Sequence, residues 1–239
     1  MQEETESESF QLEGRNAIME ALKADRPVDT LLVKKGENEG TIKVIIAMAK
    51  EKNIVIKEMT KEKLDELSIT GKHQGIIAYC AAHEYAEIED IFAKAAEKNE
   101  QPFIILLDGI TDPHNLGAII RTANAAGAHG IVIPKRRSAG LTAVVGKTSA
   151  GALQYVPVAR VANITAALEE MKKRGLWIAC ADMDGDNLYE APLTGALGLV
   201  IGGEGSGISR LVKEKCDFSV KIPMMGEIGS LNASVAASV

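Results

Sequence analysis

The chain has 239 residues, 46% of them hydrophobic and 25% charged, with 22 glycines and 7 prolines. This composition excludes disordered, collagen-like and coiled-coil chains, and the length suits one large domain or two small ones with separate cores. The formal net charge of −6 is unevenly placed: residues 1–9 carry four acids and no base, and residues 81–100 carry six acids against two bases. Residues 10–80 hold 12 bases against 11 acids and residues 101–239 hold 13 against 12, so a nucleic-acid partner is neither favoured nor excluded by charge.

Cys80, Cys180 and Cys216 are odd in number and form no C-x-x-C pair, which speaks against a disulfide framework or a metal site and fits a reducing, cytoplasmic compartment. The acidic opening MQEETESES is unlike a secretory signal, and no apolar run approaches the roughly 18 residues of a membrane span. A soluble protein with no membrane partner is expected.

Residues 1–9 read as a disordered tail. Residues 10–80 read as a small α/β domain. A helix over 15–23 follows Gly14, a strand over 29–33 comes next, and a second helix spans 40–52. A strand over 53–56, a short helix N-capped by Thr60 and a strand over 75–80 complete the domain. Residues 81–100, acidic and alanine-rich, read as a partly helical, mobile linker that ends at Pro102.

From residue 101 strands and helices alternate cleanly. Strands are expected over 103–107, 130–133, 155–158, 177–181, 196–201 and 218–222, and helices over 117–126, 141–153, 164–174, 208–215 and from 231 onward. A basic loop over 134–140 and a polar loop over 182–194 interrupt the series. Short, fully apolar strands such as FIILL predict an α/β fold with a mostly parallel sheet.

Three loops stand out. Residues 107–117 (LDGITDPHNLG) follow a strand at the carboxyl end, where open α/β sheets bind ligands; Asn115 there is either a helix cap or a functional group. Residues 201–207 (IGGEGSG) place four glycines in six positions before a helix, but they match neither G-x-G-x-x-G nor a P-loop. Glu204 inside that turn would repel a phosphate. Residues 222–232 (IPMMGEIGSLN) form an apolar, glycine-containing loop; Ser230 reads as an N-cap or a site residue, and Met224 and Met225 as core fillers or the lining of a slot for an adenine or a thioether.

Together the three loops resemble the signature motifs of the SpoU (TrmH-like) RNA ribose 2'-O-methyltransferases of the SPOUT superfamily. The matching residues are Asp112-Pro113-x-Asn115-x-Gly117-x3-Arg121-Thr122, then Gly202-x-Glu204-Gly205, then Ile222-Pro223-Met224-x-Gly226-x3-Ser230-Leu231-Asn232-x-Ser234-x-Ala236. Gly14-Arg15-Asn16 and His73-Gln74-Gly75 extend the resemblance to the first domain, which is similar to the ribosomal L30e fold. The arrangement is most similar to enzymes that methylate a guanosine ribose in 23S rRNA.

The resemblance implies a catalytic domain over 101–239 with a trefoil knot, a homodimer, and S-adenosylmethionine as cofactor. Backbone groups at Gly202, Ile222 and Leu231 would hold the cofactor, and Asn115, Arg121, Glu204, Ser230 and Asn232 would form the catalytic set. RNA contacts are expected at Lys135, Arg136 and Arg137 in the catalytic domain, and at Arg15, Asn16, Lys72 and His73 in the first. A tRNA target, or a catalytically silent RNA-binding dimer, are the competing readings. Family members usually continue the final helix for about another turn or more beyond the point matching Val239, so the resemblance leaves open whether this chain is C-terminally truncated.

Overall fold

The computed structural model describes residues 11–37 and 39–239; the expected tail over 1–9 lies outside them. Two compact units divide the chain between Glu84 and Tyr85.

In the first unit a four-stranded sheet has the order β1-β4-β2-β3, formed by β1 (Gln11–Glu13), β2 (Val28–Lys34), β3 (Val55–Met59) and β4 (Ile76–Cys80). The sheet is mixed: β4 runs antiparallel to both β1 and β2, and only β2 and β3 are parallel. Helix α1 (Arg15–Lys23) buries Ile18, Ala21 and Leu22, and α2 (Gly40–Glu51) buries Ile42, Ile45 and Ala49, each set at helical spacing. Strand alternation sends Leu31 and Val33 to those helices, while Leu32 on the opposite face meets Leu64 of α3 (Lys61–Leu67). Thr60 caps α3 as expected, its side chain accepting from the Lys63 amide.

The second unit carries six parallel strands in the order β10-β8-β9-β5-β6-β7. These are β5 (Phe103–Asp108), β6 (Gly130–Pro134), β7 (Val158–Val161), β8 (Trp177–Asn187), β9 (Leu197–Gly202) and β10 (Phe218–Lys221). Helices cover both faces. On one lie α5 (Pro113–Ala125), α6 (Ala143–Thr148) and α9 (Ala233–Ala236), packed on Ile105, Leu107, Ile131 and Ile133. On the other lie α4 (Ile88–Glu97), α7 (Ile164–Lys173) and α8 (Arg210–Lys213), packed on Ile104, Leu106, Val132 and Val200. Successive residues of one strand thus serve opposite cores.

Three expectations need correction. The linker over 81–100 is largely an integral part of the second unit: Ile88, Ile91 and Ala95 of α4 are buried, with Ile88 and Ile91 in the core under β5 and β6. Its acidic residues occupy the outer face and mask an apolar stripe at i, i+3, i+7. The helix over 141–153 is broken into α6 and a 3₁₀ turn, Ala152–Gln154, with Ala150 and Gly151 left-handed between them. The polar loop expected from 182 starts later. Pairing to β10 jumps from Cys180 to Asp186, so residues 181–185 form an irregular insertion in β8 that Lys213 holds through Asp182.

The chain runs outward from β5 through β6 to β7, then returns on the other side through β8, β9 and β10. Strands β5 and β9 are therefore neighbours at the point where strand order reverses, and Asp108 pairs with Gly202 at their carboxyl ends.

Candidate active site

The first two motif loops leave adjacent strands at this reversal point. The Gly203 amide donates to the Asp108 carbonyl (2.8 Å), and the Ser209 amide to the Asp108 carboxylate (2.7 Å). Backbone packing accounts for the glycines of the second loop. A Cβ on Gly202 would lie 2.5 Å from the Ile208 nitrogen, and one on Gly203 would overlap the Gly109 carbonyl. Gly205 and Gly207 have φ of +76° and +61°, values that L side chains rarely adopt. The turn thus presses against the first loop and presents Glu204 from its exposed tip.

Asp112, not Asn115, caps α5: its side chain accepts from the His114 amide (2.8 Å), and Pro113 occupies the first helical position. Asn115 is left free for another task, and it is buried. Its Nδ2 donates to Glu204 Oε1 (3.1 Å), and its Oδ1 accepts from Asn232 Nδ2 (3.0 Å). Asn232 also donates to Glu204 Oε1. The Oδ1 of Asn232 caps α9, accepting from the Ser234 amide at 2.9 Å. One closed network therefore ties the three loops together, through residues from three separate strand ends.

Arg121 and Ser230 stand outside that network. Both are exposed, and neither side chain has a hydrogen-bond partner among the described residues. Glu204 accepts from the side-chain amide of Asn115 and makes no contact with Arg121 among the described residues. Ser230 is not the helix cap, a role taken by Asn232. A Cβ on Gly117, the remaining glycine of the first motif, would lie 2.6 Å from the Thr148 Cβ, so it allows α5 to approach α6.

The third loop crosses from the outer strand β10 back to the centre of the sheet, along the carboxyl ends. Between residues 223 and 231 no backbone group has a backbone partner among the described residues. Met225, Ile228 and Leu231 are exposed, Met225 almost completely. Open amides and carbonyls beside uncovered apolar side chains fit a ligand that combines a flat ring, a thioether-like chain and polar ends. The donor set contains no metal-binding cluster among the described residues.

The basic loop after β6 exposes Arg136 and Arg137, with Lys135 half-buried. The Ala139 amide donates to the Ile110 carbonyl (2.8 Å), which joins this loop to the first motif loop. In the first unit Asn16 and Lys72 are exposed. The Arg15 guanidinium pairs with Glu37 and donates to the Gln74 carbonyl (3.2 Å). Lys34 and Lys35, which sequence reading did not single out, line a cavity with Arg15. His73 does not fit its expected role as an RNA contact. It is buried, its Nε2 bonds Asp65 (2.8 Å), and its Nδ1 accepts from the Gly75 amide (3.1 Å), so both ring nitrogens serve the fold.

Comparison with known proteins agrees with this geometry. Residues 102–239 match the SpoU rRNA Methylase family, and residues 11–86 match the RNA 2'-O ribose methyltransferase substrate-binding family. The chain belongs to the SpoU rRNA methylase family, and is an RNA methyltransferase. A relative from Bacillus subtilis, the TrmH-family tRNA/rRNA methyltransferase YacO, is 51% identical over 95% of this chain and 91% of its own. A Staphylococcus haemolyticus relative named for the same family is 43% identical over 97% of this chain and 93% of its own. Among solved structures, the SpoU methyltransferase AviRb from Streptomyces viridochromogenes, crystallised with AdoMet, superimposes with a TM-score of 0.60 at 26% identity. That alignment covers 96% of this chain and 86% of AviRb.

Proposed function

We propose that this protein transfers a methyl group from S-adenosylmethionine to a ribose 2'-hydroxyl of RNA, with a guanosine of 23S rRNA as the target. The observation that carries the reading is the Asn115–Glu204–Asn232 network, which closes the three motif loops over the strand-reversal point. Backbone groups of Gly202, Ile222 and Leu231 would hold the cofactor, with Met224 and Met225 beside it. S-adenosylmethionine bound there supplies an electrophilic methyl group. The path of the third loop from β10 back to α9 supports the knotted topology. The exposed apolar residues Val235 and Val239, at or beyond α9, support a homodimer. Three free cysteines support a reducing, cytoplasmic setting.

Arg121 acts as an electrostatic group and not as a base, because a guanidinium stays protonated in proteins. Its exposed charge stabilises the alkoxide that develops on the attacking oxygen and grips the neighbouring phosphate, while water takes the proton. Ser230 orients the hydroxyl. Asn115, Glu204 and Asn232 hold the loops in register, so that hydroxyl and methyl meet in line. Positioning of this kind supplies up to about 7–11 kcal/mol of barrier reduction.

The test is incubation with labelled S-adenosylmethionine and unmodified 23S rRNA or tRNA, followed by mapping of 2'-O-methyl sites as positions resistant to alkaline cleavage. A single new site in 23S rRNA is expected. Label only in tRNA would move the target to tRNA, and transfer to neither would require assembling ribosomal particles or a longer C-terminus to be tried before a silent RNA-binding dimer is accepted. Arg121→Ala is expected to abolish transfer while RNA binding is largely kept; equal loss of both would remove Arg121 from the chemistry.

A further inference from the structure

The basic loop over 134–140 is held at both ends by one stacked pair of side chains that none of the motifs contains. Arg160, on the edge strand β7, lies over the ring of Tyr85, with its guanidinium carbon 5.0 Å from the ring centroid. From there Arg160 Nη2 donates to the carbonyl of Lys135 (3.3 Å), at the start of the loop. The Tyr85 hydroxyl accepts from the amide of Leu141 (3.0 Å), just past the loop's end. Tyr85 is itself fixed, because the next residue, Ala86, bridges to Ala159 and donates from its amide to the Val158 carbonyl (3.0 Å).

Between these anchors the loop has two more ties. The Lys135 amide donates to the Val161 carbonyl (2.7 Å), extending the β6–β7 ladder. The Ala139 amide reaches the Ile110 carbonyl, two residues past the end of β5 and five before Asn115. Arg136 and Arg137 therefore project from a segment whose entry, exit and inner side are all tethered. Arg137, with φ of +58°, sits in a strained conformation that such tethering maintains.

We propose that Tyr85 and Arg160 are positioning residues for RNA: their stack pre-forms the basic loop, so that its two exposed arginines meet the phosphate backbone in register with the first motif loop. The proposal rests on reading Lys135–Arg137 as RNA contacts. An untethered loop would carry the same charge, but would lose conformational freedom on binding, which weakens affinity without changing the chemistry. Tyr85 is also the first residue of the second unit, so the residue that sets the loop is the one at which the chain enters the catalytic fold.

The test is steady-state methylation by the full chain at saturating S-adenosylmethionine with RNA varied. Three variants are compared: Arg136→Ala/Arg137→Ala, Arg160→Met and Tyr85→Leu. Each is expected to raise KM for RNA, roughly tenfold for Arg160→Met, with kcat within about twofold of the parent. Adding Arg160→Met to the Arg136→Ala/Arg137→Ala chain is expected to add little, because Arg160 acts through those arginines. Tyr85→Phe keeps the stacking ring and removes the Leu141 tether, so it gives a smaller rise in KM and serves where Tyr85→Leu fails to fold. If the double alanine variant leaves KM unchanged, the reading of the loop falls and the proposal with it. If the double variant raises KM while Arg160→Met and Tyr85→Phe do not, the loop reading stands and the positioning role is overturned. A fall in kcat equal to the rise in KM for Arg160→Met would likewise overturn it.

Discussion

The contact between Ile91 and Gly130 gives a direct measure of how far α4 belongs to the catalytic unit. Ile91 is fully buried, and a Cβ on Gly130 would lie 2.5 Å from its Cγ1, 2.7 Å from Cδ1 and 2.8 Å from Cγ2. Ile91→Ala removes three carbons, worth about 2.4 kcal/mol at ~0.8 each. The cavity left beside a glycine that has no side chain to fill it adds about 1 kcal/mol, for about 3–4 in all. Gly130→Ala has no backbone penalty, since Gly130 is not among the residues with positive φ, but it overpacks Ile91 at a cost of about 2 kcal/mol. In the double variant the new methyl fills space that Ile91 vacates, so the loss is about 3 kcal/mol and the coupling about 2–3. Urea unfolding followed by far-UV circular dichroism, with emission from Trp177 as the reporter of the second unit, measures all four chains. Additive costs, or a loss below about 1 kcal/mol for Ile91→Ala, would refute the packing argument and return residues 88–97 to the status of a linker.

Other consequences can be measured in the same way. Burial pushes the Glu13 carboxyl up, but hydrogen bonds from Thr70, Ser68, the Ile69 amide and Gln11 outweigh it and lower the pKa from 4.5 to about 2. Because the folded value is the depressed one, this stabilisation is full above pH 4.5 and is lost as pH falls from there to about 2. Glu13→Gln should remove that part of the acid titration of stability. Asn163 caps α7 by accepting from the amides of Thr165 (2.9 Å) and Ala166 (3.3 Å), so Asn163→Ala should cost about 1 kcal/mol in thermal unfolding and Asn163→Asp far less. Gly203→Ala, which drives a methyl into the Gly109 carbonyl, should destabilise by about 3 kcal/mol and lower cofactor affinity. Gly205→Ala has open space around it and only its φ to overcome, at about 1 kcal/mol; equal costs at the two positions would contradict the distinction between close approach and backbone strain.

Strands β5, β6 and β9 were readable because they are buried on both faces, so their apolar runs are unbroken and bounded by turn residues, whereas the strand expected over 155–158 forms instead as β7, Val158–Val161, after a 3₁₀ turn that ends at Gln154. Helix α1 was readable to the residue, since Ile18, Ala21 and Leu22 mark one face and Gly14 supplies the left-handed entry. Strand β1 was not, because three residues carry no period and it exists only through pairing with β4. Helix α4 was legible as partly helical but not as part of the core, because its three buried positions, Ile88, Ile91 and Ala95, are matched in number by its acids Glu89, Asp90 and Glu97. At the site, the motif residues were legible as types in order, but their partnerships were not. Asn115, Glu204 and Asn232 meet only because strand order reverses between β5 and β9, which no local pattern encodes. His73 shows the opposite failure: a polar residue in a plausible surface motif turned inward to satisfy Asp65 and Gly75. Tyr85 and Arg160 carried no signal, since they are 75 residues apart and neither lies in a motif.

The bond between Asn115 and Asn232 spans 117 positions of sequence. During synthesis the first two loops are complete once Ser209 has left the ribosome, yet neither the lock on Asn115 nor the return strand of backbone beside it exists until residue 232 follows. A nascent chain bearing the substrate-binding unit and a finished β5–β9 pair therefore still lacks the tie that Asn232 makes to Asn115 and Glu204.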